Sequence, residues 1–386
     1  MPARMNLTTV IAAAVAAVLT APAVAAPAAP SAKAGHRLTQ EAMDAAVKDG
    51  VPGVVAQAKD RQGTWKAVSG VGDIRTEKPR SAHDRYRVGS ITKTFVATVV
   101  LQLEAEGRLS LDDTVEQWLP GLVLGHGHDG RSITLRQLLN HTSGIYDYSA
   151  DETFRRTYAL KDGFFEHRYD TLSPHELIRV AMRHEPDFTP GTSWEYSNTN
   201  YVLAGLVIEK ATGNPYGDEI RHRIIEPLNL RATTVPGTST RMPHPSSRAY
   251  GKLAQADTGP TYDVTEINPS VAHAAGEMIS DSGDLNRFYS ALLTGELLPT
   301  QQLAAMKTTV EEGMPPHVGY GLGIMNLELD CGLIVWGHSG GIRGSSSVAV
   351  TTEDGRHMLA FNFNNDWSGD SQAVVEAEFC GTRATT

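Results

Sequence analysis

A chain of 386 residues, 41% apolar and 20% charged, can bury a large core, which excludes a fibrous or disordered protein. The formal net charge of −10 argues against nucleic acid or an anionic membrane surface as partner. Only two cysteines occur, no Cys/His zinc spacing is present, and neither a metal nor a cofactor is expected.

The chain begins with an address. Arg4 precedes an apolar run from Val10 to Leu19, and Ala23-Val24-Ala25 supplies small residues for cleavage. Residues 1–25 are read as a secretory signal and 26–36 as a flexible Ala/Pro-rich leader, so the mature protein is expected outside the cell and off the membrane. In an exported protein, Cys331 and Cys380 most simply pair, pinning the C-terminal helix to a strand.

A helix fits Thr39 to Lys48, capped by Thr39, followed by strands at Val54 to Ala58 and Thr64 to Ser69. A short strand at Tyr86 to Val88 leads into R-V-G-S-I-T-K and an apolar run from Phe95 to Leu103 that ends at Gly107. That run is too short to span a bilayer and reads as a buried helix. Ser90 and Lys93, three residues apart, share its face at the N-terminal end. Burial disfavours an ammonium, and a neutral amine beside a hydroxyl is a nucleophile–base pair. S-x-x-K alone arises by chance, so its weight depends on partners elsewhere.

From about 105 to 270 the chain reads as helical and loop-rich. His126 and His128 sit in G-H-G-H-D-G, taken as a glycine-rich loop with solvent histidines. Thr134 to Leu139 is a short helix leading into His141-Thr142-Ser143-Gly144, a capped turn given a structural role. Ser173-Pro174-His175-Glu176 is a capping box opening a helix to about His184. Tyr196-Ser197-Asn198 stands at the mouth of a buried helix from about Asn200 to Lys210. Strands return at Gly319 to Leu327, Leu333 to Trp336, Ser346 to Val350 and His357 to Asn362, with helices at Gly283 to Leu293 and Ser371 to Phe379. The expected fold is α/β (α+β): an antiparallel sheet flanked by helices, formed by 37–104 plus 271–381, with a helical lobe inserted over 105–270.

Gly337-His338-Ser339-Gly340-Gly341 also matches G-x-S-x-G, the nucleophile elbow of another hydrolase class. The elbow needs a helix directly after its serine, whereas this chain runs on into the strand Ser346 to Val350. Ser90 has a helix behind it and Ser339 does not, so Ser90 is the expected nucleophile.

Taken in order, Ser90-x-x-Lys93, Tyr196-x-Asn198 and His338-Ser339-Gly340 resemble the serine D,D-peptidase and class C β-lactamase family, over nearly the whole mature chain. R-V-G-S-I-T-K, L-L-N-H-T-S-G, Y-S-N-T-N-Y and Y-G-L-G with W-G-H-S-G look closest to the secreted D-alanyl-D-alanine carboxypeptidases, as does the late cysteine pair. The resemblance implies a β-lactamase/transpeptidase-like fold and an acyl-enzyme mechanism. Ser90 attacks, Lys93 and Tyr196 manage its proton, and Asn198 and His338 with its neighbours bind substrate. The N–H groups of Ser90 and Gly341 hold the oxyanion. Which of Lys93 and Tyr196 is the acylation base stays open. Implied ligands are peptidoglycan stem peptides or other D-amino-acid amides and esters, and β-lactams as acylating agents.

Three departures bear on the leaving group. Where those carboxypeptidases grip the terminal carboxylate with an arginine and two threonines, this chain has Met325, Ser339 and Gly341, and a substrate-wall aromatic is replaced near Val271. Arg343 is the candidate replacement charge. The leading expectation is a D-alanyl-D-alanine carboxypeptidase. The alternatives are a D-aminopeptidase or amidase, an esterase, a β-lactamase, and a penicillin-binding sensor or scaffold without turnover.

Overall fold

A computed structural model describes residues 35–254, 259–310 and 313–381. The signal segment expected over 1–25, and the leader up to residue 34, lie outside the described residues. Helix α1 (Arg37–Lys48) is followed by β1 (Gly53–Asp60), β2 (Gly63–Asp73) and the two-residue β3 (Lys78–Pro79). The long helices α2 (Thr92–Ala105), α3 (Asn198–Thr212) and α4 (Ser282–Leu293) come next in chain order. Strands β4 (Val318–Tyr320), β5 (Met325–Glu328), β6 (Ile334–Ile342), β7 (Ser345–Thr352) and β8 (Met358–Phe363) then lead to α5 (Ser371–Phe379). One eight-stranded sheet runs β4-β5-β6-β7-β8-β1-β2-β3, with every neighbouring pair antiparallel.

Strand β1, apolar from Val54 to Ala58 except for Gln57, shows why the sequence does not alternate there. Val54, Ala56 and Ala58 enter a core with Met43 of α1 and Val374 and Val375 of α5, while Val55 enters the other core with α2, α3 and α4. A strand covered on both faces has no polar side to show. Helix α2 is likewise enclosed: eleven of its fourteen residues are buried, and Phe95 stacks on Phe288 of α4 at 3.7 Å between ring centroids. Each such aromatic or aliphatic side chain contributes roughly 1.5–3 kcal/mol on burial. The helical segment 109–230 adds Leu111, Val115, Leu138 and Ile220 to the same core.

Several local expectations shift. The strand expected from Gly319 to Leu327 is two strands, β4 and β5, separated by a turn at Gly321–Ile324 in which Gly323 has φ +71°. Thr39 lies inside α1 rather than capping it; its hydroxyl donates to Glu378 Oε2 at 2.6 Å. That buried carboxylate also accepts from His357 Nε2 (2.7 Å) and His36 Nδ1 (2.9 Å), so α5, α1 and the β7–β8 turn meet on one side chain. Burial alone would raise the Glu378 carboxyl, but the hydrogen bonds from His357, His36 and Thr39 outweigh it and hold it at about 2. Cys331 and Cys380 are disulfide-bonded, and Cys331 sits in the β5–β6 turn rather than on a strand. His128 is buried, not solvated. The Ser173 capping box is present as read, with Pro174 at the first helical position. No helix among the described residues is long and apolar enough to cross a membrane.

Candidate active site

Ser90 occupies a short 3-10 turn, Gly89–Ile91, that feeds directly into α2. The turn is pressed against β6. Gly89 has φ +54°, and a Cβ there would lie 2.7 Å from Gly341 N; a Cβ on Gly340 would lie 2.0 Å from Val88 O and 2.9 Å from Ser90 N. Neither position tolerates a side chain, and the contact brings the backbone of Gly341 beside Ser90. Strand β5 pairs with β6 only as far as Gly337, so the segment from His338 to Ile342 keeps one free edge at this point.

Lys93, the second residue of α2, is completely buried. Its Nζ lies 3.1 Å from Ser90 Oγ, 2.8 Å from Asn198 Oδ1 and 2.8 Å from Ala275 O. Burial pushes the amine down to about 7, against a smaller opposing pull from Asp147. Tyr196 covers the ammonium position, 4.7 Å from its ring centroid. Burial raises the phenol above its usual range, partly countered by hydrogen bonding with Ser90, so the ring stays protonated. Asn198 is fully engaged: Nδ2 donates to Asp147 Oδ2 (3.0 Å) and Ser149 Oγ (3.1 Å).

Ser90, Lys93, Tyr196, Asn198 and the Gly340–Gly341 backbone thus come together. Other expected residues take different places. His338 faces the Ser90 side of the sheet but is buried, its Nε2 2.9 Å from Tyr320 Oη and its Nδ1 against Ser339 O; burial lowers it to about 3. Ser339 pairs across with Val348, on the opposite face. There it shares with Met325 a cavity of about 200 Å³ that no lysine, arginine, aspartate or glutamate lines among the described residues. Arg343 lines a separate cleft of about 270 Å³, the one open to Ser90, and its Nη1 is 3.2 Å from Asp366 Oδ2.

That cleft has aromatic walls, with Tyr148, Phe154, Tyr158 and Phe164 among its lining. Tyr148 donates to Val271 O at 2.8 Å, supplying an aromatic group next to the position where one seemed replaced. Sequence reading missed Ala275, which acts through a carbonyl, and Asp147, which no short motif marks. His141 was read as a turn residue; it is wholly buried, with its ring 4.3 Å from that of Tyr196.

Comparison with known proteins agrees with this geometry. The chain is similar to penicillin-binding protein 4* of Bacillus subtilis (strain 168), 27% identical over 322 residues, which are 80% of this chain and 67% of the relative. It is 31% identical to protein flp of Staphylococcus aureus (strain MW2) over 52% of this chain, spanning 37% of that longer protein. Among solved structures it is similar to a D-stereospecific amidohydrolase from Streptomyces sp., with 62% identity and a TM-score of 0.86, over 90% of this chain and 99% of that one. It is also similar to the D-amino acid amidase of Ochrobactrum anthropi SV3 in complex with D-phenylalanine, with 28% identity and a TM-score of 0.77, again over 90% and 99%. The family profile described as Beta-lactamase matches residues 36–375, and the chain belongs to that family of serine hydrolases with the penicillin-binding-protein fold.

Proposed function

We propose that the protein is a D-stereospecific amidohydrolase, cleaving amides and esters of D-amino acids through an acyl-enzyme on Ser90. The observation that carries this reading is the likeness to the Streptomyces D-stereospecific amidohydrolase, 62% identical with a TM-score of 0.86 over 90% of this chain and 99% of that one. In the cleft open to Ser90, Arg343 is already paired with Asp366, so a leaving-group carboxylate has to compete for it, whereas an amide nitrogen makes no such demand. The likeness to the Ochrobactrum amidase supports the same choice.

The hydrogen-bond partners favour Lys93 as the base. Asn198 Oδ1 and Ala275 O can only accept, so a neutral Lys93 gives them its two N–H groups. Its lone pair then points to Ser90 Oγ, and Lys93 takes the serine proton as Oγ attacks the carbonyl. The N–H groups of Ser90 and Gly341 receive the oxyanion. As the C–N bond breaks, the proton passes by way of the Tyr196 hydroxyl to the departing amine; water then enters by the reverse route and frees the D-amino acid. Asp147 acts through Asn198 and on the charge of Lys93, while the carboxylate that lines the cleft is Asp170.

Turnover of D-phenylalaninamide against an N-acyl-D-alanyl-D-alanine tests this. The amide is expected to be cleaved with at least about tenfold higher kcat/KM, the scale of one lost charge pairing. Faster cleavage of the free-acid dipeptide would restore the carboxypeptidase reading.

A further inference from the structure

Behind Tyr196 lies a chain of three buried side chains from three distant parts of the sequence: His141 (0% exposed), Tyr320 (1%) and His338 (3%). Two backbone groups, one at each end, fix the direction of every bond in it. The N–H of Ser197 donates to His141 Nδ1 at 3.2 Å, and Asn200 Nδ2 donates to the same atom at 3.1 Å. With Nδ1 occupied as an acceptor, the ring proton of a neutral His141 sits on Nε2 and is donated to Tyr320 Oη at 3.2 Å. At the far end, His338 Nδ1 faces Ser339 O, a pure acceptor, so Nδ1 carries the proton and Nε2 must accept. The Tyr320 hydroxyl, 2.9 Å away, donates to it. Tyr201, whose own hydroxyl donates to Leu139 O at 2.7 Å, flanks Tyr320. Burial keeps both imidazoles neutral, the only state in which these donors and acceptors match.

We propose that His141 is a positioning residue for acylation, holding Tyr196 and Asn198 over Ser90 and, through Tyr320 and His338, locking them to the strand that carries the oxyanion donor. Two further observations point the same way. His141 has φ +63°, a left-handed conformation that costs a non-glycine residue energy and persists only where its surroundings demand it. Its ring is packed 4.3 Å from the Tyr196 ring and 4.8 Å from Tyr320, so displacing it releases the tyrosine that lies over Lys93. The chain therefore sets the distance between the two walls that grip the reacting carbonyl. A misplacement of about 1 Å there can cost on the order of a hundredfold in rate.

This inference rests on the acyl-enzyme part of the proposed function and not on the identity of the leaving group. The test uses the full chain with His141→Asn, His141→Gly and Tyr320→Phe. Asparagine tolerates the left-handed backbone and keeps an acceptor near Nδ1; glycine tolerates the backbone and offers none. Three quantities are read: thermal melting, the rate of Ser90 labelling by a fluorophosphonate, and kcat with KM for D-phenylalaninamide. His141→Gly is expected to label and turn over about tenfold or more slower with KM within about twofold, and His141→Asn to recover most of that loss. Tyr320→Phe, which keeps the ring and removes only the hydroxyl, is expected between them with an unchanged melting temperature. Equal damage in the asparagine and glycine variants, or full-rate labelling of Tyr320→Phe, overturns the proposal; should His141→Gly not fold, the other two decide it. A wild-type protein that labels normally but ignores D-phenylalaninamide would refute the proposed substrate class and leave this test intact.

Discussion

Lys93 and Glu378 are both buried ionisable groups, and they end in opposite charge states. Lys93 is surrounded by a hydroxyl, an amide oxygen and a backbone carbonyl, with a charged influence from Asp147, and its amine falls to about 7. Glu378 is surrounded by two imidazoles and a threonine hydroxyl, and its carboxyl is held at about 2. Burial is common to both; the partners decide. Lys93 is given neutral acceptors that do not compensate a full charge, so it becomes a base. Glu378 is given proton donors, so it stays an anion and ties α1, α5 and the β7–β8 turn together. Reactivity and structure in this molecule are two uses of the same dehydrated interior.

The sharpest way to break the comparison is Lys93→Met. Acylation should fall at least about a hundredfold, the usual weight of a positioned acid–base group. Stability should not fall with it. Depressing a lysine from 10.5 to about 7 costs the folded state on the order of 5 kcal/mol below pH 7, a cost that shrinks as pH rises towards 10.5. Methionine removes that cost, which offsets the acceptors left at Asn198 and Ala275. Fluorophosphonate labelling together with thermal melting separates the two effects.

The mirror experiment is Glu378→Gln. Losing hydrogen bonds to a charged group should cost about 2–3 kcal/mol in denaturant unfolding and leave kcat unchanged. A drop in kcat comparable to that of Lys93→Met would end the division between the two regions.

Their pH dependences should separate as well. In the proposed mechanism neutral Lys93 is the active form, so kcat/KM should rise about tenfold per unit up to about pH 7 and then level. The stabilisation from Glu378, whose folded value lies below its ordinary 4.5, is complete above that value and is lost as pH falls towards 2. His36 is raised by its hydrogen bond to Glu378, so its share is complete below 6.5 and fades as pH rises past its folded value. Above pH 7 the fading His36 share is opposed by the shrinking cost of burying Lys93, so only Lys93→Met, which lacks that cost, should weaken on the alkaline side, which melting and rate profiles on one buffer series can check.

Asp147→Asn sharpens the picture at the site itself. Removing the one charge that favours the ammonium form should move the acid limb of the rate profile below pH 7. The smallest effect is expected from Met325→Arg: Met325 lines a cavity separate from the cleft open to Ser90, so the ratio of kcat/KM for acids and amides should stay within about twofold.

What the sequence disclosed follows from how far each interaction reaches. Ser90 and Lys93 are legible because a helix brings positions three apart onto one face, and β1 because a doubly covered strand is mostly apolar. Tyr196 and Asn198 become legible only as partners of that pair. Lys93's third contact, Ala275 O, has no side-chain signature at all. The bond between His141 and Tyr320 joins residues 179 apart, so L-L-N-H-T-S-G looks like a capped turn until the fold supplies its other half. Arg343 seemed free because Asp366, on another part of the chain, is not visible from its neighbours. Ser339 could have been placed: alternation puts Trp336, His338 and Gly340 on one face and Ser339 on the other.

Of the three glycines around the nucleophile, Gly89 and Gly340 are imposed by contact, but a Cβ at Gly341 would meet nothing within 4 Å. The bareness of that position is a choice of width rather than a steric requirement. A threonine there would place a hydroxyl beside the oxyanion donor without disturbing the turn that carries Ser90. The scaffold thus keeps its reacting geometry on residues that cannot change and its selectivity on one that can, so a new substrate preference is reachable without rebuilding the catalyst.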